Sequence, residues 1–151
     1  MSGDAPARPV TAEDPLTGSC LCGAVRYRIT APPTSVSHCH CTLCRKASGA
    51  GFVTWATVPR AAFALEGRVT EYAWSPRSRR QFCTRCGSQL TFRFVELAEE
   101  IDFTCATLDE PSRISPEYHT WVSKQLPWIV LGEDHIPHYA EWGVDSVPDG
   151  A

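Results

Sequence analysis

The sequence has no long apolar run. Nothing in it approaches the ~18 consecutive apolar residues of a membrane-spanning helix, so no membrane partner is expected. The first fifteen residues, MSGDAPARPVTAEDP, hold no apolar core. A secretory signal peptide is therefore not expected, and the expected compartment is the reducing cytoplasm, where stable disulfides are rare. A basic excess is also missing: 14 Lys and Arg stand against 17 Asp and Glu, a net charge of -3. A dedicated nucleic-acid binder carries a basic stripe, so no nucleic-acid partner is expected. There is no internal repeat of solenoid length and no low-complexity tract. No segment keeps a long 3.6-residue period, which leaves room for a helix of only a turn or two, around Thr42 to Lys46 or Pro111 to Ser115.

What is present is period two. In AVRYRIT, Val25, Tyr27 and Ile29 alternate with Arg26 and Arg28, the pattern of a half-buried strand. GFVTWATV, VTEYAW, QLTFRF and IDFTCATL are similar short runs of β-branched and aromatic residues, punctuated by Gly and Pro. The expected fold is mainly β, built from several short antiparallel sheets with very little helix. The 151 residues fit one domain. Its expected span is 16–143, between a flexible N-terminal tail (1–15) and a flexible C-terminal tail (144–151), both rich in small, Pro and acidic residues. Trp55 and Trp74 are expected in the core.

The unusual component is cysteine, eight in all. Cys20 and Cys22 form a C-x-C, Cys39, Cys41 and Cys44 a C-x-C-x-x-C, and Cys83 and Cys86 a C-x-x-C followed by Gly87; Cys105 stands alone. In an extended chain residues i and i+2 share a face, so a C-x-C aims two sulfurs at one point. A C-x-x-C closes a turn around one metal. Pairing the two doublets gives a closed four-sulfur site. The contiguous triple keeps a fourth position open, and closed zinc sites are structural while open ones react. The spacing thus points to two zinc ions per chain with different tasks. Disulfides, a redox pair at Cys83 and Cys86, and a second structural zinc completed by His38, His40, Cys105 or His119 are the alternatives. His38 and His40 alternate with Cys39 and Cys41, so they are expected to point away from the metal. Cys105 is expected as a buried, inert thiol.

In order and content, GSCLCGAVRY, CHCTLCRKASGA, SRRQFCTRCGSQL and HTWVSKQLPWI resemble the GFA family, the glutathione-dependent formaldehyde-activating enzymes. The resemblance covers about residues 16 to 130. It implies a tent-like β fold built on zinc-ribbon elements. It implies that Cys20, Cys22, Cys83 and Cys86 hold a structural zinc and that Cys39, Cys41 and Cys44 hold the zinc tied to activity. It also implies a carbon-sulfur lyase whose partners are glutathione and formaldehyde, joined as S-hydroxymethylglutathione.

A zinc held by three thiolates is electron-rich and suits a soft ligand. The expected mechanism places the substrate sulfur at the open position as thiolate, where it adds to the aldehyde. Glutathione carries two carboxylates, so cations and backbone N–H groups are expected around it. Arg45 and Lys46 are the first candidates, with Arg77, Arg79, Arg80 and Lys124 beside them. Ser48 and Gly49 are expected to offer backbone N–H groups. His119 is the expected acid or base, and Trp121 and Trp128 either wall a pocket or fill the core. The competing functions are a zinc-stabilised binding module without catalysis, or a related enzyme using a different thiol or aldehyde.

Overall fold

Short strands with one apolar face bury it only by pairing into sheets and packing the sheets together. The computed structural model describes residues 8–142, and ten strands do this. β1 (Leu16–Ser19), β2 (Arg26–Ile29) and β5 (Phe63–Glu66) form a three-stranded antiparallel sheet in that order. The other strands are β3 (Ser35–Cys39), β4 (Val53–Pro59), β6 (Val69–Tyr72), β7 (Ser78–Cys83), β8 (Gln89–Phe94), β9 (Glu100–Thr104) and β10 (Tyr118–Thr120). They make a seven-stranded sheet in the order β10-β3-β4-β9-β8-β7-β6. Its pairs are antiparallel except β10 on β3, which is parallel. The mainly β expectation holds.

The alternation read in AVRYRIT is realised: Val25, Tyr27 and Ile29 are buried while Arg26 and Arg28 face solvent. Tyr27 of the small sheet stacks on Phe63 at 5.4 Å and meets Phe103 of the large sheet at 5.9 Å. Full burial of such a ring is worth roughly 1.5–3 kcal/mol, so this trio helps clamp the sheets together. Leu16, Ile29, Val58 and Leu90 complete that core. A second apolar cluster contains Cys39, Cys44, Val53 and Trp55, with Phe92 and Trp121 packed against it.

Among the described residues there is one α-helix, α1 (Thr42–Ser48), where the sequence allowed one. Cys41 caps its start: the Cys41 sulfur accepts from the Cys44 N–H at 3.2 Å. Gly49 ends it in the left-handed region at φ 71°, where glycine is favoured, and its N–H donates to the Arg45 carbonyl at 2.8 Å. The second allowed site forms a single 3-10 turn, Pro111–Arg113.

Several expectations change. Trp74 is 58% exposed and Trp128 73% exposed, so neither is core. IDFTCATL ends as a strand at Thr104 and tightens into a 3-10 turn at Cys105–Thr107. Residues 8–15 lie against the domain instead of hanging from it. Val10 is buried, Arg8 pairs with Asp14 at 2.9 Å and Glu110 at 3.0 Å, and Arg113 pairs with Asp14 at 3.1 Å. Composition does not reveal those long-range ion pairs. Of the tails expected at 1–15 and 144–151, residues 1–7 and 144–151 lie outside the described residues.

Candidate metal centres and active site

The C-x-C after β1 and the C-x-x-C after β7 meet. The sulfurs of Cys20, Cys22, Cys83 and Cys86 all lie within 4.8 Å of one another. Both turns use a left-handed glycine: Gly23 donates to the Cys20 carbonyl at 3.0 Å, and Gly87 to that of Cys83 at 2.9 Å. Backbone N–H groups also point at the sulfurs, from Val25 to Cys20 at 3.3 Å and from Arg85 to Cys83 at 3.4 Å. Ser88 links the turns, accepting from the Leu21 N–H at 2.9 Å and lying 3.2 Å from the Cys86 sulfur. That hydroxyl, with nearby backbone N–H groups, draws the Cys86 thiol down to about 5.

The triple also converges. Cys39 ends β3, Cys41 caps α1 and Cys44 lies in its first turn, with all three sulfurs within 4.8 Å. Among the described residues no fourth His, Cys, Asp or Glu joins this group. Hydrogen bonds from Cys39 and then Cys44 lower the Cys41 thiol to about 3, while the same contacts push Cys39 up. Three crowded sulfurs compete for protons in this way because neighbouring thiolate charges repel, a repulsion that a cation between them would relieve. All eight cysteines are free, and Cys105 is buried away from both groups, its thiol pushed up to about 12 by burial.

The histidines form a line behind the triple. His40 Nε2 lies 2.9 Å from His119 Nδ1, and His119 Nε2 lies 2.7 Å from Asp134 Oδ2. His138 Nε2 reaches the other carboxylate oxygen at 3.1 Å. Both ring nitrogens of His119 are thus engaged, one with Asp134 and the other with His40. His40 Nδ1 is then left buried without a partner. His38 turns to Thr54 at 2.8 Å. Burial, then the neighbouring His119, lowers both His38 and His40 to about 4. His119 has both nitrogens occupied and is 2% exposed, so it has no free atom for a substrate. Sequence reading missed the group of His119, Asp134 and His138, whose ligand atoms also lie within 4.8 Å of one another. The only local signal was the Asp-x-x-x-His spacing at 134 and 138.

The expected substrate residues are differently used. Ser48 Oγ donates to the Cys44 carbonyl at 2.8 Å, and the Gly49 N–H is consumed by the helix cap. Arg45 reaches Thr42 at 3.4 Å. Lys46 is exposed on α1, and Lys124 is exposed at the end of the 3-10 turn Val122–Lys124. Trp121 sits in the left-handed region at φ 56° against the three-cysteine cluster, edge-on to Trp142 at 5.4 Å.

Fold and site together define a small β-sheet protein with two cysteine groups able to hold metal, a donor set consistent with zinc. The chain belongs to the glutathione-dependent formaldehyde-activating enzyme family, whose model matches residues 15–124. It is 27% identical over 126 residues to a Halomonas elongata protein named "Putative glutathione-dependent formaldehyde-activating enzyme", a match covering 77% of this chain and 80% of that one. It is 30% identical over 78 residues to an uncharacterized lyase of Schizosaccharomyces pombe, covering 52% of this chain and 57% of the relative. A crystal structure of a Rhodobacter sphaeroides protein has the same fold, with a TM-score of 0.53 at 21% identity, over 66% of this chain and 91% of that one. Family and relatives support an enzyme of formaldehyde-activating or lyase type. Among the described residues no helix is long and apolar enough to cross a membrane.

Proposed function

We propose that this protein is a zinc-dependent carbon-sulfur lyase that makes and breaks a thiol–aldehyde adduct of the S-hydroxymethylglutathione kind. The observation that carries this reading is the three-cysteine group, with three converging sulfurs and no fourth His, Cys, Asp or Glu among the described residues. Cys39, Cys41 and Cys44 would hold one zinc, and Cys20, Cys22, Cys83 and Cys86 the other. When bound at the triple, zinc supplies a fourth position that favours a substrate thiol as its thiolate. In the forward direction the thiol sulfur forms a bond to the aldehyde carbon, and the thiol proton ends on the aldehyde oxygen. The reverse breaks that bond.

The chain's own residues prepare the centre. The Cys44 N–H donates to the Cys41 sulfur and offsets part of its charge. Asp134 orients His119, and His119 orients His40 between Cys39 and Cys41. His119 thus acts as a positioning residue for the cysteine turn. Eight free thiols suit a reducing, cytoplasmic setting.

The test is Cys41→Ser, with metal content and thiol-dependent formaldehyde consumption both measured. The expected result is loss of one metal per chain and at least about a hundredfold loss of activity. Full metal content together with full activity would defeat the reading.

A further inference from the structure

A groove of about 440 Å³ opens between α1 and the β6–β8 end of the large sheet. Strand register explains its floor. Tyr72 on β6 is paired with Arg80 on β7, and Arg80 with Phe92 on β8. Directly paired residues share a face, so these three side chains point the same way. On the opposite face of the same strands, arginines meet an acid: Glu71 lies 3.7 Å from Arg79 and 3.8 Å from Arg93.

Arg80 has no such partner. It is only 8% exposed, yet among the described residues no carboxylate comes within 4.0 Å of it. Its guanidinium lies 4.9 Å from the Phe92 ring centre and makes one hydrogen bond, Nη1 to Gln89 Oε1 at 3.4 Å. Gln89, also in the groove wall, is left with a buried Nε2 that donates to nothing. A guanidinium offers five N–H donors, and a buried cation without an anion is unfavourable. Lys46 adds a second cation at the rim, and no acidic residue lines the groove. The remaining walls are apolar, with the exposed rings of Tyr72 and Trp74.

The groove adjoins the three-cysteine group. Phe92 packs against both Arg80 and the cluster containing Cys39 and Cys44, and Lys46 lies two residues beyond Cys44 on α1. We propose that this groove receives the carboxylate end of the thiol substrate, anchored on Arg80 with Lys46 at the rim and its apolar body against Tyr72 and Trp74. The substrate class is then a carboxylate-bearing thiol with an apolar body. Only the word substrate rests on the lyase reading above; the carboxylate site itself does not.

A thiol-free probe separates the two. Binding of 4-phenylbutyrate and of its uncharged amide to the purified protein is followed by tryptophan fluorescence and calorimetry. The carboxylate is expected to bind at least about tenfold more tightly than the amide, as befits a charged hydrogen bond. Arg80→Gln should bring that ratio near one, and Arg80→Lys should restore part of it. Because Arg80 is buried, Lys46→Glu at the exposed rim is the second variant, expected to lower carboxylate affinity at least about threefold. 4-Phenylbutyrate should also compete with the thiol in the formaldehyde assay. Equal binding of acid and amide, or a preference untouched by both Arg80→Gln and Lys46→Glu, overturns the site. Binding without competition overturns its link to the substrate. Cys41→Ser should leave probe binding intact, so failure of the lyase reading leaves a separate signature.

Discussion

Removing the four-cysteine group should damage the fold far more than opening the three-cysteine group, and the sequence distances set the size of the difference. Cys22 and Cys83 are 61 residues apart, whereas Cys39 and Cys44 are 5 apart. A cross-link restricts the unfolded chain in proportion to the logarithm of the loop it closes. That relation gives about 4 kcal/mol for the long loop and about 2 kcal/mol for the short one. The double variant Cys22→Ser, Cys86→Ser removes the less buried cysteine from each turn and leaves too few sulfurs to hold an ion. It should lower Tm by about 8–16 °C. Cys41→Ser should lower it by about 4–8 °C. Circular dichroism melts of metal-loaded protein, with metal content measured on the same samples, decide this. A double variant that melts within about 2 °C of the parent, or a larger fall for Cys41→Ser, would refute a cross-link across the long loop.

A chelator should remove metal in two phases, the faster from the triple, which offers three sulfurs against four, with Cys41→Ser erasing that phase; release in one phase would contradict unequal sites. Burial raises the Asp102 carboxyl to about 6, against the hydrogen bond from Thr57 at 2.6 Å. The folded protein therefore holds this proton where the unfolded chain has lost it, and stability falls as pH rises from about 4 to about 6. Asp102→Asn should relieve at most about 3 kcal/mol above that range, seen as a flatter denaturation midpoint against pH. At Gly18 a Cβ would sit 2.3 Å from the Tyr27 ring and 2.6 Å from the Thr107 carbonyl oxygen. Gly18→Ala should destabilise by roughly 1–3 kcal/mol in urea titration, and an unchanged midpoint would show that the Tyr27 ring and the Thr107 turn yield easily there.

Local patterns were legible in the sequence. The alternation of Val25, Tyr27 and Ile29 and the spacing within each cysteine group depend on two to five residues, and backbone geometry alone fixes where they point. The meeting of Cys20 and Cys22 with Cys83 and Cys86 was legible because two doublets make one complete donor set. What escaped depends on strands that meet only in the folded chain. His119 reaches His40 because β10 lies parallel to β3, and Asp134 arrives on a later segment. Trp74 reads like any strand aromatic, but its strand ends at Tyr72 on the sheet's edge, leaving the ring exposed. The N–H of Gly49 was expected to be free for a substrate, but the length of α1 assigned it to the cap. Arg80 differs from Arg79 only in which face of β7 it occupies, and that decides whether Glu71 can neutralise it.

β10 closes one side of the seven-stranded sheet, where an unpaired strand is a template for another copy of the chain. Here the chain supplies its own guard. Residues 137–142 run parallel to β10 and the turn after it: the His119 N–H donates to the Pro137 carbonyl at 2.8 Å, the Tyr139 N–H to that of His119 at 2.9 Å, and the Trp121 N–H to that of Glu141 at 3.0 Å. The same segment brings Tyr139 against Tyr118 and Trp142 against Trp121. It thus keeps the cysteine-bearing side of the sheet from strand-to-strand self-association. A chain cut before Pro137 would keep every cysteine but expose a bare β10, so the hazard of losing this segment is loss of solubility before loss of chemistry.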